Sequence, residues 1–241
     1  MPSDILGTSI FNPDERAFTF KHGPIFAQVV LIDEVNRAPA KTQAALFEVM
    51  EEQQVTVDGH TYPLSPPFLV LATQNPLEHE GTYRLPEAQL DRFLFKINVP
   101  YPSLEQEVAI VTNHHAGRTG KSLDVVSAVV TGDTLVGLQQ LVRQVHVTPP
   151  LLEYMAAIVH QTRNDPALLL GASPRATVAL LNASKAMAVL AGRDYLLPDD
   201  VQRIAQPVLG HRMLLVPEQE MAGKTTADVV RRIIAAIDVP R

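Results

Sequence analysis

The clearest pattern in the sequence is an unbroken apolar run that ends in two carboxylates. Residues 29–32 read Val-Val-Leu-Ile, and Asp33 and Glu34 follow at once. A short continuous apolar run is typical of a strand that is buried on both faces, as in a parallel sheet covered by helices. Open α/β sheets bind ligands at the carboxyl ends of their strands. We therefore expect a ligand site here, although two acidic residues can also simply end a strand and begin a turn.

Two further segments extend the predicted sheet. Residues 68–73 form a second apolar run, and Asn75 follows it. A carboxamide at a strand end can donate to a phosphate oxygen and accept from a water at once, but an Asn before Pro is also a common turn former. Residues 94–99, shortly after Arg92, are predicted to form a third strand.

Between the first two strands the pattern changes twice. Residues 39–52 place apolar side chains on one side of a predicted helix. Residues 55–62 alternate around Asp58-Gly59, which is the strongest short-range signal for a two-residue hairpin turn. The hairpin can be purely structural or can be a moving loop that contacts a substrate.

Beyond a predicted domain boundary near residue 101 the sequence is helical. Ser103 and Gln106 form a capping box that begins the first of these helices. Helices are predicted over residues 103–115, 134–145, 149–163, 174–191, from 198, and 226–237.

Composition excludes several classes of protein. The chain has 241 residues, a formal net charge of −6 and no cysteine, so a thiolate metal site or disulfide framework is impossible. Lys and Arg are interspersed with acids, which argues against a nucleic-acid surface. No apolar run approaches the ~18 residues that cross a bilayer. We expect a cytoplasmic protein without a membrane span or nucleic-acid partner.

Several long motifs resemble those of one family, the MoxR family of AAA+ ATPases. They extend from Asp4 to about Arg212 and include Gly23-Pro24-Ile25-Phe26-Ala27, Asp33-Glu34-Val35-Asn36-Arg37-Ala38-Pro39, Ala72-Thr73-Gln74-Asn75-Pro76, Glu80-Gly81-Thr82-Tyr83, Leu85-Pro86-Glu87-Ala88-Gln89-Leu90-Asp91-Arg92-Phe93 and Gly171-Ala172-Ser173-Pro174-Arg175-Ala176. The resemblance implies an α/β fold, with an incomplete AAA+ parallel-sheet core over residues 1–101 and an all-α lid domain over residues 102–241.

The same resemblance implies ATP and Mg²⁺ as cofactors and a role for each matching residue. Asp33 matches the Walker B aspartate that positions Mg²⁺, and Glu34 matches the glutamate that activates water. Asn75 matches sensor 1, which orients that water. Arg92 matches the arginine finger, which reaches the neighbouring subunit's site, and Arg175 matches sensor 2, which contacts the nucleotide's phosphates. We expect residues 33, 34, 75 and 175 to surround one hollow.

Arg92 and Arg175 can also be interpreted without the family resemblance. Arg92 could simply form a salt bridge with Asp91 or another surface acid. Arg175 follows a predicted helix cap at Ser173 and so lies in the first helical turn. A cation there is mildly unfavourable, by a few tenths of a kcal/mol to ~1 kcal/mol, and a bound anion would turn that cost into a gain. Arg84 stands where the family usually has proline, and nothing firmer follows from it.

The sequence lacks the phosphate loop G-x-x-x-x-G-K-[ST]. Gly120-Lys121-Ser122 and Gly223-Lys224-Thr225 imitate its end, but His115 and Glu218 replace its first glycine. The chain thus resembles a family member that starts late, through a misassigned start, a truncated gene product or an expression boundary. Without the intervening strand, segments 68–73 and 94–99 would expose unpaired edges, so we expect poor solubility and negligible ATP turnover of the chain alone.

Three functions are compatible with these patterns. The resemblance implies an ATPase ring, with a hexamer as the expected size, that remodels client enzyme complexes beside a von Willebrand factor A domain protein. The second is a non-catalytic module that binds partners or intact rings. The third is a metal hydrolase that uses Asp33, Glu34 and His79, which the absence of ligand-type histidine spacing disfavours.

Overall fold

The computed structural model describes residues 1–14, 16–75, 85–117 and 126–240, so His79, Arg84 and the Gly120-Lys121-Ser122 fragment lie outside it. The first part of the chain contains α1 (Pro2–Leu6), β1 (Gly7–Asn12), β2 (Ala17–His22), β3 (Val29–Ile32), α2 (Ala40–Glu52), β4 (Gln54–Val57), β5 (His60–Pro63), β6 (Leu69–Ala72) and α3 (Glu87–Leu90). The second part contains α4 (Leu104–His115), α5 (Gly132–Gln144), α6 (Pro149–Thr162), β7 (Leu168–Leu170), α7 (Pro174–Leu190), α8 (Pro198–Leu209), β8 (Leu214–Leu215), α9 (Pro217–Met221) and α10 (Thr226–Ala236).

The predicted α/β class with a following helical region is confirmed. Strands β3 and β6 pair in parallel, with Ile32 opposite Ala72. The hydrophobic core of this part consists of Ile25, Val35, Leu46, Phe47, Val49, Val55, Leu64 and Leu85. Three of these residues belong to α2, and Val35 belongs to the segment that follows β3. The shared core therefore holds that segment against α2.

The prediction that β3 is buried on both faces is wrong. Val29 and Leu31 are 58% and 68% exposed, whereas Val30 and Ile32 pack against the core. On β6, Leu69 and Leu71 are likewise exposed. An apolar strand is buried only where a second layer covers it, and within the described residues none covers this face.

The predicted third strand over residues 94–99 is also wrong, because residues 95–100 have no regular structure. The Lys96 backbone N–H donates to the Pro207 carbonyl at 3.1 Å. This bond ties the segment to α8 of the helical part, whereas a strand would need the backbone of a neighbouring strand.

Two antiparallel hairpins flank the sheet. β1 pairs with β2, and β4 pairs with β5. The predicted turn at Asp58-Gly59 is confirmed, since both residues have positive φ (52° and 78°), as a primed two-residue turn requires. The Ser9 hydroxyl donates to the Asp58 carboxylate at 2.5 Å, which joins the two hairpins.

The second part of the chain packs α6, α7, α8 and α10 around a separate apolar core. Its largest fully buried side chains are Met155, Ile158, Leu180, Leu209, Val159, Val201, Val208 and Val230. The predicted capping box at Ser103 and Gln106 is confirmed. The short antiparallel pair β7–β8 corrects the expectation of a purely helical domain. The boundary near residue 101 stays a prediction. Among the described helices, none is both long and apolar enough to cross a membrane.

Candidate functional site

Parallel pairing of β3 and β6 brings Asp33 beside Thr73 at the carboxyl edge of the sheet. The Thr73 hydroxyl donates to Asp33 Oδ1 and accepts from the Glu34 backbone N–H at 2.9 Å. The Val35 N–H donates to the Thr73 carbonyl at 3.0 Å. One threonine therefore fixes the whole turn that carries both carboxylates. Sequence reasoning quoted Thr73 within a motif but gave it no role, because only the strand register shows the contact.

Glu34 adopts a backbone conformation that is uncommon for residues other than glycine. Its φ and ψ are 51° and 50°, in the left-handed region. A non-glycine residue stays there only where its surroundings hold it, at a cost of ~1–3 kcal/mol, and such residues cluster at functional sites. The Asp33 carboxylate accepts from the Thr73 hydroxyl, whereas the Glu34 carboxylate pairs with Arg37. Glu34 Oε2 accepts from Arg37 Nη1 at 3.1 Å, with both side chains partly exposed.

Asn75 follows β6 by three positions and is exposed at the same edge of the sheet. The structure thus brings Asp33, Glu34 and Asn75 to one edge, as predicted from the two apolar runs. Their individual roles stay predictions.

The oxygens at this edge suit Mg²⁺. The Asp33 carboxylate and the Thr73 hydroxyl are hard oxygen donors, which Mg²⁺ prefers. Within the described ranges no group of three or more His, Cys, Asp or Glu side chains could hold a metal. That pattern fits a nucleotide-borne Mg²⁺, which is held by one or two carboxylates together with phosphate oxygens and water. His79, the third residue of the alternative metal hydrolase, lies outside the described residues, so that alternative stays a hypothesis.

Arg92 and Arg175 lie elsewhere, and both contact Glu51 near the end of α2. Arg92 forms an ion pair with Glu51, and its Nη1 also donates to the Phe47 carbonyl at 3.3 Å. Arg175 Nη2 donates to Glu51 Oε1 at 2.7 Å. Arg92 therefore does pair with an acid within its own chain, but that acid is Glu51 rather than Asp91. Nothing in the sequence marked Glu51, which is one of several acids on an exposed helix face.

Open space surrounds these arginines. A cleft of about 310 Å³ is lined by residues of α2 together with Gln89 and Arg92. A smaller hollow of about 160 Å³ is lined by Met50, Glu51, Arg92 and Arg175. Arg175 is 46% exposed and Arg92 is 29% exposed, so an anion from outside the chain can reach both guanidinium groups.

The single hollow expected around residues 33, 34, 75 and 175 stays a prediction, although the contacts of Arg175 and those of the carboxylate turn lie at opposite ends of α2. Gln43 in the first turn of α2 donates to the Val35 and Ala38 carbonyls at 3.2 and 3.0 Å, which fixes the carboxylate turn at that end of the helix. Glu51 is eight residues further on, a rise of about 12 Å. Arg175 is therefore grouped with Arg92, because Glu51 holds both.

A buried network fixes the segment next to Arg92. Arg212 Nε donates to Asp91 Oδ1 at 2.7 Å, and its remaining N–H groups bond backbone carbonyls around residues 91–94 and Val208. The Arg212 side chain is 2% exposed. Burial lowers its pKa from the ordinary value, and the hydrogen bond to Asp91 opposes that effect.

The neighbouring His211 is neutral by its surroundings. His211 Nε2 donates to the Phe93 carbonyl at 2.9 Å, and its buried Nδ1 has no partner. Burial lowers the pKa of His211 to about 4. Sequence reasoning missed both His211 and Arg212, since their partners lie more than a hundred residues away in the chain.

The cap of α7 differs from the expectation in one respect. Ser173 is the N-cap residue, as predicted, but its hydroxyl does not cap the helix and instead donates to Asp91 Oδ2 at 2.8 Å. A cation in the first turn of a helix is mildly unfavourable unless an anion lies beside it. The Glu51 carboxylate is the anion that lies beside Arg175.

The second imitation of a phosphate loop is a helix connection. Gly223 has φ 73° after α9, and Thr225 is the N-cap of α10, paired with Asp228. Residues 223–225 therefore follow a helix, whereas a phosphate loop follows a buried strand.

Comparison with known proteins places these features in a family context. Residues 1–95 match the model of the ATPase family associated with various cellular activities, and residues 160–233 match the AAA lid domain. The uncharacterised protein YeaC of Bacillus subtilis is 45% identical over all of this chain, which spans 74% of that protein. Chaperone MoxR1 of Mycobacterium tuberculosis is 40% identical, and the chain spans 65% of it.

Two further proteins are similar to this chain over most of its length. Protein MoxR of Paracoccus denitrificans is 30% identical over 91% of this chain and 70% of its own length. The crystal structure of a candidate ATPase from Cytophaga hutchinsonii superimposes with a TM-score of 0.89 at 39% identity. It covers all of this chain, which spans 75% of that protein.

Proposed function

The chain belongs to the MoxR family of AAA+ ATPases, and from that premise we propose that it couples ATP binding and hydrolysis to the remodelling or maturation of partner protein complexes. The observation that carries the proposal is the Asp33-Glu34 turn, which Thr73 holds at the carboxyl edge of the parallel pair β3–β6. One chaperone of the family, MoxR1, supports the remodelling part of the proposal.

In this proposal the sheet edge carries the hydrolytic chemistry. Asp33 would hold the Mg²⁺ that accompanies ATP, and the bound ion would neutralise charge on the phosphates. Glu34 accepts a proton from the attacking water as a general base. Asn75 orients the same water by donating and accepting hydrogen bonds. The left-handed conformation of Glu34 supports this division, because a non-glycine residue keeps that conformation only at a cost and such residues cluster at functional sites.

The arginines serve a different nucleotide from the one held by Asp33. Arg92 and Arg175 lie at the far end of α2 from Glu34 and are partly exposed, which supports a role for both in the site of a neighbouring subunit. This revises the role expected for Arg175, which we now assign to the same intersubunit contact as Arg92. Guanidinium groups that neutralise charge developing in phosphoryl transfer raise rates by about 10³–10⁵. In a ring, for which we propose six subunits, the end of α2 that carries the arginines in one subunit would meet the carboxylate turn of its neighbour.

The 241-residue chain carries no phosphate loop, so we propose that it has negligible ATP turnover alone. Its pair of arginines is intact, however, and this observation favours the second candidate function, a subunit that binds an intact ring and completes the neighbour's site. A von Willebrand factor A domain protein or a client enzyme complex remains the proposed partner.

The experiment that tests the function mixes this chain with an intact relative. The Bacillus subtilis relative would be purified with its own finger arginine replaced by alanine and then titrated with this chain. We expect ATPase activity to be restored by the wild-type chain and by Arg203→Ala, which removes an exposed arginine of α8, but not by Arg92→Ala. Failure of the wild-type chain to restore activity would refute the intersubunit role of Arg92.

The chain alone provides the second measurement. We expect its turnover of Mg-ATP to equal that of its Glu34→Gln variant, since neither has a cradle for the phosphates. A turnover within about tenfold of the intact relative's, or about 1.4 kcal/mol in barrier height, would contradict the proposed inactivity.

A further inference from the structure

The buried Arg212 side chain uses every one of its N–H donors in a hydrogen bond. An arginine side chain has five N–H donors. In Arg212, Nε bonds Asp91 Oδ1, Nη1 bonds the carbonyls of Leu94 and Val208, and Nη2 bonds the carbonyls of Asp91 and Phe93. All five donors are thus used, and four of the bonds reach residues on either side of Arg92.

Asp91 links Arg212 to the segment that carries Arg175, the second arginine of the candidate site. Its Oδ1 accepts from Arg212 at 2.7 Å, and its Oδ2 accepts from the Ser173 hydroxyl at 2.8 Å. Asp91 immediately precedes Arg92, and Ser173 lies two residues before Arg175. The Asp91 carboxylate therefore belongs to the segment that carries Arg92 and bonds a side chain of the segment that carries Arg175.

We propose that Asp91 and Arg212 are positioning residues that hold Arg92 and Arg175 at one spacing, so that both guanidinium groups grip a single phosphate-type anion. For the reaction this inference rests on the proposed function, because the anion would be the nucleotide of a neighbouring subunit. Binding of one anion by both arginines can be measured on the 241-residue chain alone.

Both arginines contact the same carboxylate, that of Glu51. Arg175 donates to Glu51 Oε1 at 2.7 Å, and Arg92 pairs with Oε2 of the same group. A phosphate offers oxygens of similar separation with more charge, and planar guanidinium groups match such oxygens in pairs. Glu51 therefore occupies the position that an incoming phosphate would take.

The chemistry of Arg212 explains why another cation cannot replace it. A lysine in its place has three donors on a single nitrogen and cannot reach carbonyls spread over residues 91–94 and 208. Arg212→Lys keeps the charge that balances Asp91 but loses the fork that orients the segment. Comparing it with Asp91→Asn, which keeps the shape and removes the charge, separates orientation from simple charge balance.

A second buried ion pair provides the matched control. Arg193 bonds both carboxylate oxygens of Asp200 at 2.9 and 2.6 Å, and its side chain is 21% exposed. The other hydrogen bonds of this pair go to the Tyr195 carbonyl and the Leu197 N–H. Asp200→Asn therefore perturbs an ion pair of the helical part without removing a hydrogen bond of Asp91, Ser173 or Arg212.

The test is a titration of the isolated chain with inorganic pyrophosphate, followed by NMR of the arginine Nε–Hε signals. In the wild type and in Asp200→Asn we expect the Arg92 and Arg175 signals to move together with one Kd. In Arg212→Lys and Asp91→Asn we expect that Kd to rise at least about tenfold, with the two signals moving independently. Ser173→Ala, which removes a single hydrogen bond and keeps the fold, should separate the two signals with a smaller loss of affinity.

Three results would overturn the proposal. They are unchanged pyrophosphate affinity in Arg212→Lys and Asp91→Asn, an equal loss in Asp200→Asn, and no movement of either signal in the wild type. If Arg212→Lys does not fold, Ser173→Ala decides the matter through the coupling of the two signals. None of these measurements needs ATP turnover, so a failure of the proposed ATPase function would be seen separately.

Discussion

Acid should destabilise this protein through one buried imidazole, His211. Burial lowers its pKa from 6.5 to about 4, with the cations of Arg212 and Lys96 acting in the same direction and the Phe93 carbonyl and Asp91 opposing them. Protonation would place a proton on Nδ1, which is buried and has no acceptor. The folded protein therefore keeps His211 neutral at pH values where an unfolded chain would protonate it.

The sign and size of the effect follow from linkage. Between pH 6.5 and about 4 the unfolded chain binds a proton that the folded chain does not, so the free energy of unfolding rises with pH in this window. The contribution of His211 is fully present above pH 6.5 and is lost as pH falls toward 4. At about 1.4 kcal/mol for each pKa unit, the loss is at most about 3.5 kcal/mol.

Urea denaturation at a series of pH values, followed by helical circular dichroism, measures this slope. We expect His211→Gln to flatten it, because the amide can still donate to the Phe93 carbonyl but does not titrate. His115→Gln, at an exposed position at the end of α4, is the matched control and should keep the wild-type slope. Equal slopes in wild type and His211→Gln, or an NMR titration that places the His211 pKa near 6.5, would refute the reasoning.

Three more outcomes are expected. Glu51→Gln should tighten pyrophosphate binding about fivefold, since the competing charge in a partly exposed pair amounts to about 1 kcal/mol; calorimetry showing weaker binding would contradict the role of Glu51 as an occupant of the anion position. Gly137→Ala, within α5 and with open space around the new methyl group, should raise the free energy of unfolding by about 0.5–1 kcal/mol. Gly59→Ala should lower it by about 1 kcal/mol because φ is +78° there, and equal melting temperatures for the two glycine variants would argue against both assignments.

Local patterns in the sequence predicted the local structure well. The β3 strand, the α2 helix, the Asp58-Gly59 turn and the Ser103 capping box all depend on residues within a few positions of one another, and all are present. The position of Asp33 and Glu34 at a strand end followed from the same kind of signal, since an apolar run fixes where a strand stops.

The errors concern neighbours that the sequence does not specify. An apolar run shows that Leu31 is fit for burial, but not that another layer exists to cover it. Residues 94–99 have the composition of a strand, yet Lys96 is bonded to Pro207. The partners of Glu51, Asp91 and Arg212 come from distant parts of the chain, so no spacing rule could have revealed them.

The length of α2 constrains how copies of this protein can meet. One end of this 13-residue helix carries the acidic turn and the other end carries the paired guanidinium groups. A twofold axis can join the unlike ends only by placing two copies of α2 antiparallel, so that both pairs of unlike ends meet in one interface. A heterologous, head-to-tail contact joins one pair of unlike ends in each interface, and such contacts either close into a cycle or continue as an open filament. A helix with different chemistry at its two ends would thus give a head-to-tail assembly a direction that can be traced to one subunit.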